Sequence, residues 1–214
     1  YAKTMIRRLF ILNFFLHAYL ACGQAPFSHH TPQNIYAERR ELYDRAMYST
    51  AAEGFQNVIS KVDSETDLAE QSSFFYVLCG IKLMNRDAGD QVLKFLNEYP
   101  TSARRKELIL GMSEYSFNRR RYRDAKIWLN RLNGMYLPKK EKAELQFKLG
   151  YSLFMLKDFE NARAQFSAAK SSDFNISSSA QYYYGHIAYL DTNDVTALEN
   201  LEPLIDHPSF GFVV

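Results

Sequence analysis

Few residues of this chain combine types and spacings that could do chemistry. His29 and His30 are adjacent, but no Cys, Asp or Glu lies at ligand spacing, so we interpret them as part of a flexible tail rather than a metal site. Cys79 could act as a nucleophile, yet its position predicts a helix face packed inside a unit, where a free thiol behaves as a small hydrophobic group. No phosphate-binding loop, nucleophile elbow or zinc-helix motif occurs. We therefore expect no catalytic residue, no cofactor, no metal and no enzymatic activity.

The charge of the chain gives no case for nucleic acid as a partner. Of its 26 basic residues, Lys3, Arg7 and Arg8 precede residue 24 and no acidic residue does, which leaves 23 basic against 24 acidic residues. The densest basic stretches are 104–106 and 119–123. The second falls in a predicted turn between helices, where solvated charge is expected and contact with a partner is the alternative.

Residues 1–23 predict a secretory signal peptide whose start is Met5. A basic pair, Arg7 and Arg8, precedes an apolar run over residues 9–20. As a helix that run would span roughly 18 Å, short of the ~30 Å hydrocarbon core of a bilayer. Residues 24–31 follow as a flexible leader.

The segment Ala21-Cys22-Gly23 leaves three fates open. Ordinary signal peptidase would cut before Gln24, a lipoprotein pathway would lipidate Cys22, and an uncleaved anchor is the third. Cleavage before Gln24 leaves only Cys79, which cannot form an internal disulfide. We expect an exported bacterial protein of the periplasm or the periplasmic face of the outer membrane, with membrane association through a lipid anchor or a partner.

An internal repeat organises the rest of the chain. Small residues recur at intervals of 37, 37, 37 and 35 residues, at Ala51, Ala88, Ala125, Ala162 and Ala197. An apolar residue follows each alanine after four and after seven positions, and this i, i+4, i+7 pattern is one face of an α-helix.

A second helix is predicted before each of these. Gly150 and Gly185 lie 12 residues before their alanines, and Ser113 occupies the same place one unit earlier. Polar turns join the two helices, and breakers such as 99–102, 137–138 and 207–208 separate the units, because proline disfavours helical geometry in the residue before it. Each unit is predicted to be a helix-turn-helix.

The fourth unit resembles a tetratricopeptide repeat (TPR). Residues 143–176 carry Leu149-Gly150, Leu153, Ala162, Phe166 and Ala169 at that family's offsets. The pattern departs at its small first-helix position, where other units have Ser113, Tyr76 and Arg39. The segment 95–102 resembles repeat endings of bacterial exported, envelope-associated members.

The resemblance covers residues 32–210 and implies an all-α fold, a right-handed α-α superhelix of about five units. The expected units are 32–68, 69–105, 106–142, 143–177 and 178–210, and residues 211–214 would begin a continuation.

The resemblance also implies a groove for a protein partner, lined by first-helix positions that face away from the second helix. In this chain those positions are Leu110, Glu114, Phe117, Asn118, Phe147, Tyr151, Phe154, Met155, His186, Tyr189 and Leu190. Aromatic side chains give large contact area at low entropic cost, which favours capture of a peptide or helix. The expected function is a protein-interaction scaffold in an envelope assembly or secretion machine. The alternative is a solenoid that binds glycan or peptidoglycan, attached to a downstream catalytic domain.

Overall fold

The computed structural model describes residues 31–172 and 175–205. The predicted signal peptide with Cys22, residues 24–30 of the leader and the continuation at 211–214 lie outside the described residues.

The described residues form ten α-helices and no strand. The helices are α1 (Pro32–Asp44), α2 (Tyr48–Ile59), α3 (Asp67–Lys82), α4 (Ala88–Glu98), α5 (Arg105–Asn118), α6 (Tyr122–Asn130), α7 (Lys139–Met155), α8 (Phe159–Lys170), α9 (Ile176–Leu190) and α10 (Asp194–Leu201), and a 3-10 turn, Glu202–Leu204, follows. None of the described helices is both long enough and apolar enough to cross a membrane.

Odd-numbered helices are the first and even-numbered helices the second of each pair. From the second unit on, the first helices begin one to four residues before the predicted unit starts, at 67, 105, 139 and 176. At α3 the Thr66 hydroxyl accepts a hydrogen bond from the Ala69 amide at 3.2 Å and so caps the helix, which begins at Asp67.

The helices stack in chain order, and each pair packs against the pairs before and after it. The recurring alanines lie where the second helix is pressed against its neighbours. Ala51, Ala88, Ala125 and Ala162 are fully buried and Ala197 is 4% exposed, so the predicted inner face of the second helix is confirmed. The next positions of that face include Phe55, Phe95 and Phe166, each at most 1% exposed; burying a side chain of this size stabilises the fold by about 1.5–3 kcal/mol.

Close approach of the two helices of a pair requires a small residue on one of them. In the fourth unit this is Gly150, since a Cβ there would lie 3.0 Å from the Phe166 ring. In the first unit Arg39 replaces the expected small residue, and its side chain instead lies over Gly54 of the second helix, where an added Cβ would overlap it. The departure at Arg39 is therefore accommodated by exchanging the small residue between the helices.

The five turns within the pairs share one conformation. Each contains one residue with left-handed φ, between 55° and 63°: Ala46, Met84, Arg120, Lys157 and Thr192. In the fourth turn the Lys157 amide donates to the Phe154 carbonyl and the Asp158 amide to the Leu153 carbonyl, both at 2.9 Å, which is the Schellman pattern that ends helices. The repeat brings all five turns to one side of the stack, called the turn edge below.

Ion pairs join successive units at nearly one repeat length. Glu70 pairs with Arg104 at 2.9 Å, and Glu114 with Lys148 at 2.8 Å. Lys126 reaches Asp158 at 3.4 Å. Partly exposed pairs contribute only about 0.2–1 kcal/mol each, so their main effect is to favour one register of the stack.

Candidate functional site

Aromatic side chains of the last three units form a continuous surface over the first helices α5, α7 and α9. All are partly buried, and we call them the aromatic groove: Phe117, Tyr122, Phe147, Tyr151, Phe154, Tyr182, Tyr183 and His186. Tyr122 begins α6, and the other seven belong to first helices.

Tyr151 lies at the centre of the groove. Its ring centroid is 5.6 Å from that of Phe117 and 5.7 Å from that of Tyr122, both in the unit before. It is also 5.2 Å from Tyr183 in the unit after, with the two rings nearly perpendicular. Edge-on pairs of this kind contribute about 0.5–1.5 kcal/mol beyond the area they bury. Tyr151 thus joins three successive units.

Phe147 and Tyr183 rest on the core beneath the groove. The Tyr183 ring stacks on the buried Phe166 ring at 5.3 Å and 16°, and Phe147 lies 5.8 Å from Phe166. Tyr183 was not among the predicted groove residues, because it is not one of the positions that face away from the helix partner. The run of three tyrosines at 182–184 is the sequence feature that could have indicated an aromatic surface at this place.

The far end of the groove is formed by Phe154 and His186. Their rings meet edge-on at 5.6 Å, and Tyr182 lies 6.0 Å from the imidazole. Phe154 also contacts Phe159 at 5.5 Å, at the start of its own second helix. The predicted groove residues Phe117, Phe147, Tyr151, Phe154 and His186 are therefore brought together.

The hydroxyls of Tyr122 and Tyr183 remain protonated at neutral pH. Burial, followed by the neighbouring Tyr151, raises the pKa of Tyr183 to about 12. Burial likewise raises the pKa of Tyr122. Tyr151 shares hydrogen bonds with both phenols. The groove thus offers neutral hydroxyls that can both donate to and accept from a ligand.

A cavity of 510 Å³ opens beside these rings. Phe117, Phe147 and Ile176 supply apolar walls, and Asn175 and the charged side chains Lys140, Glu144 and Lys148 complete the lining. Glu144 and Lys148 lie one helical turn apart on α7. The ion pair between Lys148 and Glu114 of α5 holds these two side chains together across the groove. The charged residues on α7 were not predicted. Their alternating signs at a spacing of four were the available signal.

Other predicted positions lie beside the groove instead of within it. Asn118 is exposed at the end of α5, and Leu110 is partly buried against the core of the second and third units. Tyr189 is 63% exposed, and Met155 and Leu190 are also exposed, at the ends of their helices. They belong to the turn edge because each first helix ends there.

The candidate nucleophile Cys79 lies in the core, away from the groove. Cys79 is fully buried, as predicted, and burial raises the pKa of its thiol to about 12, which disfavours the reactive thiolate. No group of three or more His, Cys, Asp or Glu side chains that could hold a metal ion occurs in the described ranges. The groove offers ring faces, hydroxyls and a mixed-charge rim.

No family model matches the chain, and no curated protein matches it. Solved structures of repeat proteins do. MamA of AMB-1 is 14% identical with a TM-score of 0.60, over 80% of this chain and 88% of MamA. A Podosopora anserina protein described as a kinesin light chain with nearly identical TPR-like repeats is 11% identical with a TM-score of 0.56, over 81% of this chain and 94% of that one. A second crystal structure of that protein, carrying a single substitution, aligns with a TM-score of 0.55.

At these identities the likeness concerns the fold. The helix pairs, their stacking and the recurring alanines agree with it. The chain has the fold of the TPR-like repeat solenoids, and the predicted all-α superhelix is confirmed.

Proposed function

We propose that this chain is a non-enzymatic scaffold that binds a peptide or helix of a partner protein in the aromatic groove. The observation that carries the proposal is the row of half-buried rings from three successive units, centred on Tyr151. Aromatic side chains dominate the energetics of protein interfaces because they bury large areas with few rotatable bonds.

The cavity beside the rings defines the kind of segment that would bind. Its walls, Phe117, Phe147 and Ile176, suit an apolar side chain of the partner. The rim carries Lys140 and Lys148 beside Glu144, so a bound segment would place polar or charged residues next to its apolar anchor. An amphipathic helix or short peptide has this pattern.

The proposed location is the bacterial envelope, in the periplasm or at the periplasmic face of the outer membrane. The support is the sequence alone: the basic pair, the short apolar run and the small residues before Gln24. Lipidation of Cys22 or a membrane-bound partner would attach the chain to a membrane. A part in an envelope assembly or secretion machine follows from this location together with the groove.

A glycan-binding solenoid is the second candidate. Tyrosine rings stack on sugar faces as well as on peptides, and the Tyr182 and His186 rings lie only 30° from parallel at the open end of the groove. In that case peptidoglycan or another envelope polysaccharide would be the ligand.

A pair of charge reversals separates groove binding from adventitious capture. Lys140→Glu changes the cavity rim, while Lys139→Glu makes the same change one residue away, at an exposed position that does not line the cavity. Both preserve the length and helix content of α7. The tagged chain would be used to capture partners from solubilised envelopes, with quantitative mass spectrometry.

We expect a specific set of proteins to be retained by the wild type and by Lys139→Glu, and to fall several-fold with Lys140→Glu. Purified peptidoglycan and soluble polysaccharides would be sedimented with the same three chains. Retention of glycan without a protein that depends on Lys140 would refute the scaffold and support the second candidate.

A further inference from the structure

The exposed apolar side chains are concentrated on one side of the solenoid. Scattered exposed apolar residues need no explanation, but a concentration of them marks an interaction surface. Of the twelve large hydrophobic residues that are exposed in the described ranges, seven lie on the turn edge: Met47, Leu83, Met84, Met155, Leu156, Tyr189 and Leu190. None of these seven residues belongs to the aromatic groove.

The second and third turns of this edge also carry arginine residues. Met84 is 58% exposed and Leu83 41%, and Arg86 follows them in the second turn. The third turn supplies four arginines, at positions 119, 120, 121 and 123. Against these five arginines the two turns carry Asp87 and Asp124. Of the five, only Arg121 forms an ion pair in the described structure, with Asp124 at 3.5 Å.

The second and third turns lie side by side. The Arg119 guanidinium contacts the Met84 sulfur at 3.4 Å, although the two residues are 35 apart in sequence. This contact brings an exposed apolar side chain of the second turn and a guanidinium group of the third turn together. We call this the basic turn patch: Leu83, Met84, Arg86, Arg119, Arg120, Arg121 and Arg123.

We propose that the basic turn patch docks the solenoid onto the surface of an anionic lipid bilayer. The patch lies on turns that project at the ends of helices, so it suits insertion into a soft surface. Leu83 and Met84 would enter the boundary between headgroups and acyl chains, as the apolar face of an interfacial helix does. The arginines would bind lipid phosphates in the bidentate geometry that guanidinium favours. No residue of the patch belongs to the aromatic groove, although Tyr122 of the groove lies between Arg121 and Arg123.

Charge complementarity sets the expected strength. A basic residue close to an anionic membrane contributes about 1 kcal/mol, which is roughly a fivefold change in the partition coefficient. Removing two arginines should thus lower binding by about 25-fold at low salt. Because this attraction is screened within a Debye length, wild-type binding should weaken as salt is added.

The test uses the chain purified after export and carrying Cys22→Ser, so that no lipid anchor contributes. Binding to vesicles of phosphatidylcholine, with and without phosphatidylglycerol, would be measured by flotation. Arg119→Gln with Arg120→Gln removes two charges from the patch. Lys139→Gln with Lys142→Gln removes two charges from the start of α7, at the opposite edge, and is the matched control. Circular dichroism would verify that all variants fold.

We expect binding that requires phosphatidylglycerol, falls about 25-fold in the arginine variant and is kept in the lysine variant. Met84→Ser should also weaken binding while leaving its salt dependence unchanged. Absence of vesicle binding by the unaltered patch, or equal losses in the two double variants, would overturn the proposal. Capture of soluble polyglutamate with the same dependence on the arginines would also overturn it, in favour of an acidic protein partner.

Discussion

Replacement of Gly150 by alanine tests the helix contact on which the aromatic groove rests. The new Cβ would lie 3.0 Å from both Cδ1 and Cε1 of Phe166 and 3.2 Å from Cβ of Gln165. Carbon atoms prefer separations of about 3.5–4.0 Å, so either α7 or the Phe166 ring must move. The ring is fully buried and is stacked against Tyr183, which leaves it little room.

The expected change combines two opposing contributions. Overpacking costs about 1–3 kcal/mol, and alanine in place of glycine within a helix returns about 0.5–1 kcal/mol. The net result is a destabilisation of up to about 2.5 kcal/mol. Gly111→Ala is the matched control, since it lies in the middle of α5 and its Cβ would meet Ile81 Cδ1 at 3.4 Å, an ordinary contact. That variant should be stabilised by about 0.5–1 kcal/mol.

Urea denaturation followed by circular dichroism would compare the two variants through their midpoints at equal slope. The midpoint of Gly150→Ala should fall below that of the wild type, and that of Gly111→Ala should rise above it. A midpoint for Gly150→Ala at or above that of Gly111→Ala would refute the tight contact. Since Phe166 supports Tyr183, partner capture should also decline in Gly150→Ala under conditions where it remains folded.

Three further predictions concern other parts of the solenoid. The thiol of Cys79 should resist aromatic disulfide reagents at pH 8 in the folded chain and react at once in denaturant, because burial raises its pKa; rapid labelling of the folded chain would contradict its placement. Lys157→Gly should stabilise the chain by roughly 1 kcal/mol in urea denaturation, since φ of 63° favours glycine, and a loss of stability would argue against the left-handed turn. Hydrogen bonds from Asn161 and Lys126 lower the pKa of Asp158, so its stabilising effect is present above its unfolded pKa of about 4 and is lost as the pH falls through the lower folded value. Asp158→Asn should therefore be less stable than the wild type at pH 7, and the difference should shrink in acid; a difference that does not change with pH would contradict this linkage.

The repeat and its core could be predicted because the same contact recurs within every unit. Ala51, Ala88 and Ala125 are buried by contacts that each second helix makes with its neighbours, and the spacing of the sequence reports those contacts directly. The exact start of a first helix does not follow from the period, and at α3 it depends on a single residue, the N-cap Thr66.

Only part of the candidate site could be predicted, because many of its contacts join residues of different units. Phe147 and Tyr151 belong to a helix face that one unit defines by itself, and both lie in the groove. Tyr183 packs on Phe166 of the unit before it, and Lys148 pairs with Glu114 of another. The pattern of one unit contains no information about such pairs. Tyr189 differs from these residues, because α9 ends beside it and its exposed side chain lies on the turn edge.

The exchange between Arg39 and Gly54 has a consequence for how such repeats change over time. A close helix contact needs one small residue, and either helix can provide it. A lineage can therefore lose the glycine of the first helix, provided that the second helix gains one, and keep the same backbone. Repeats that have drifted in this way remain superimposable in space while their residue-by-residue signatures diverge.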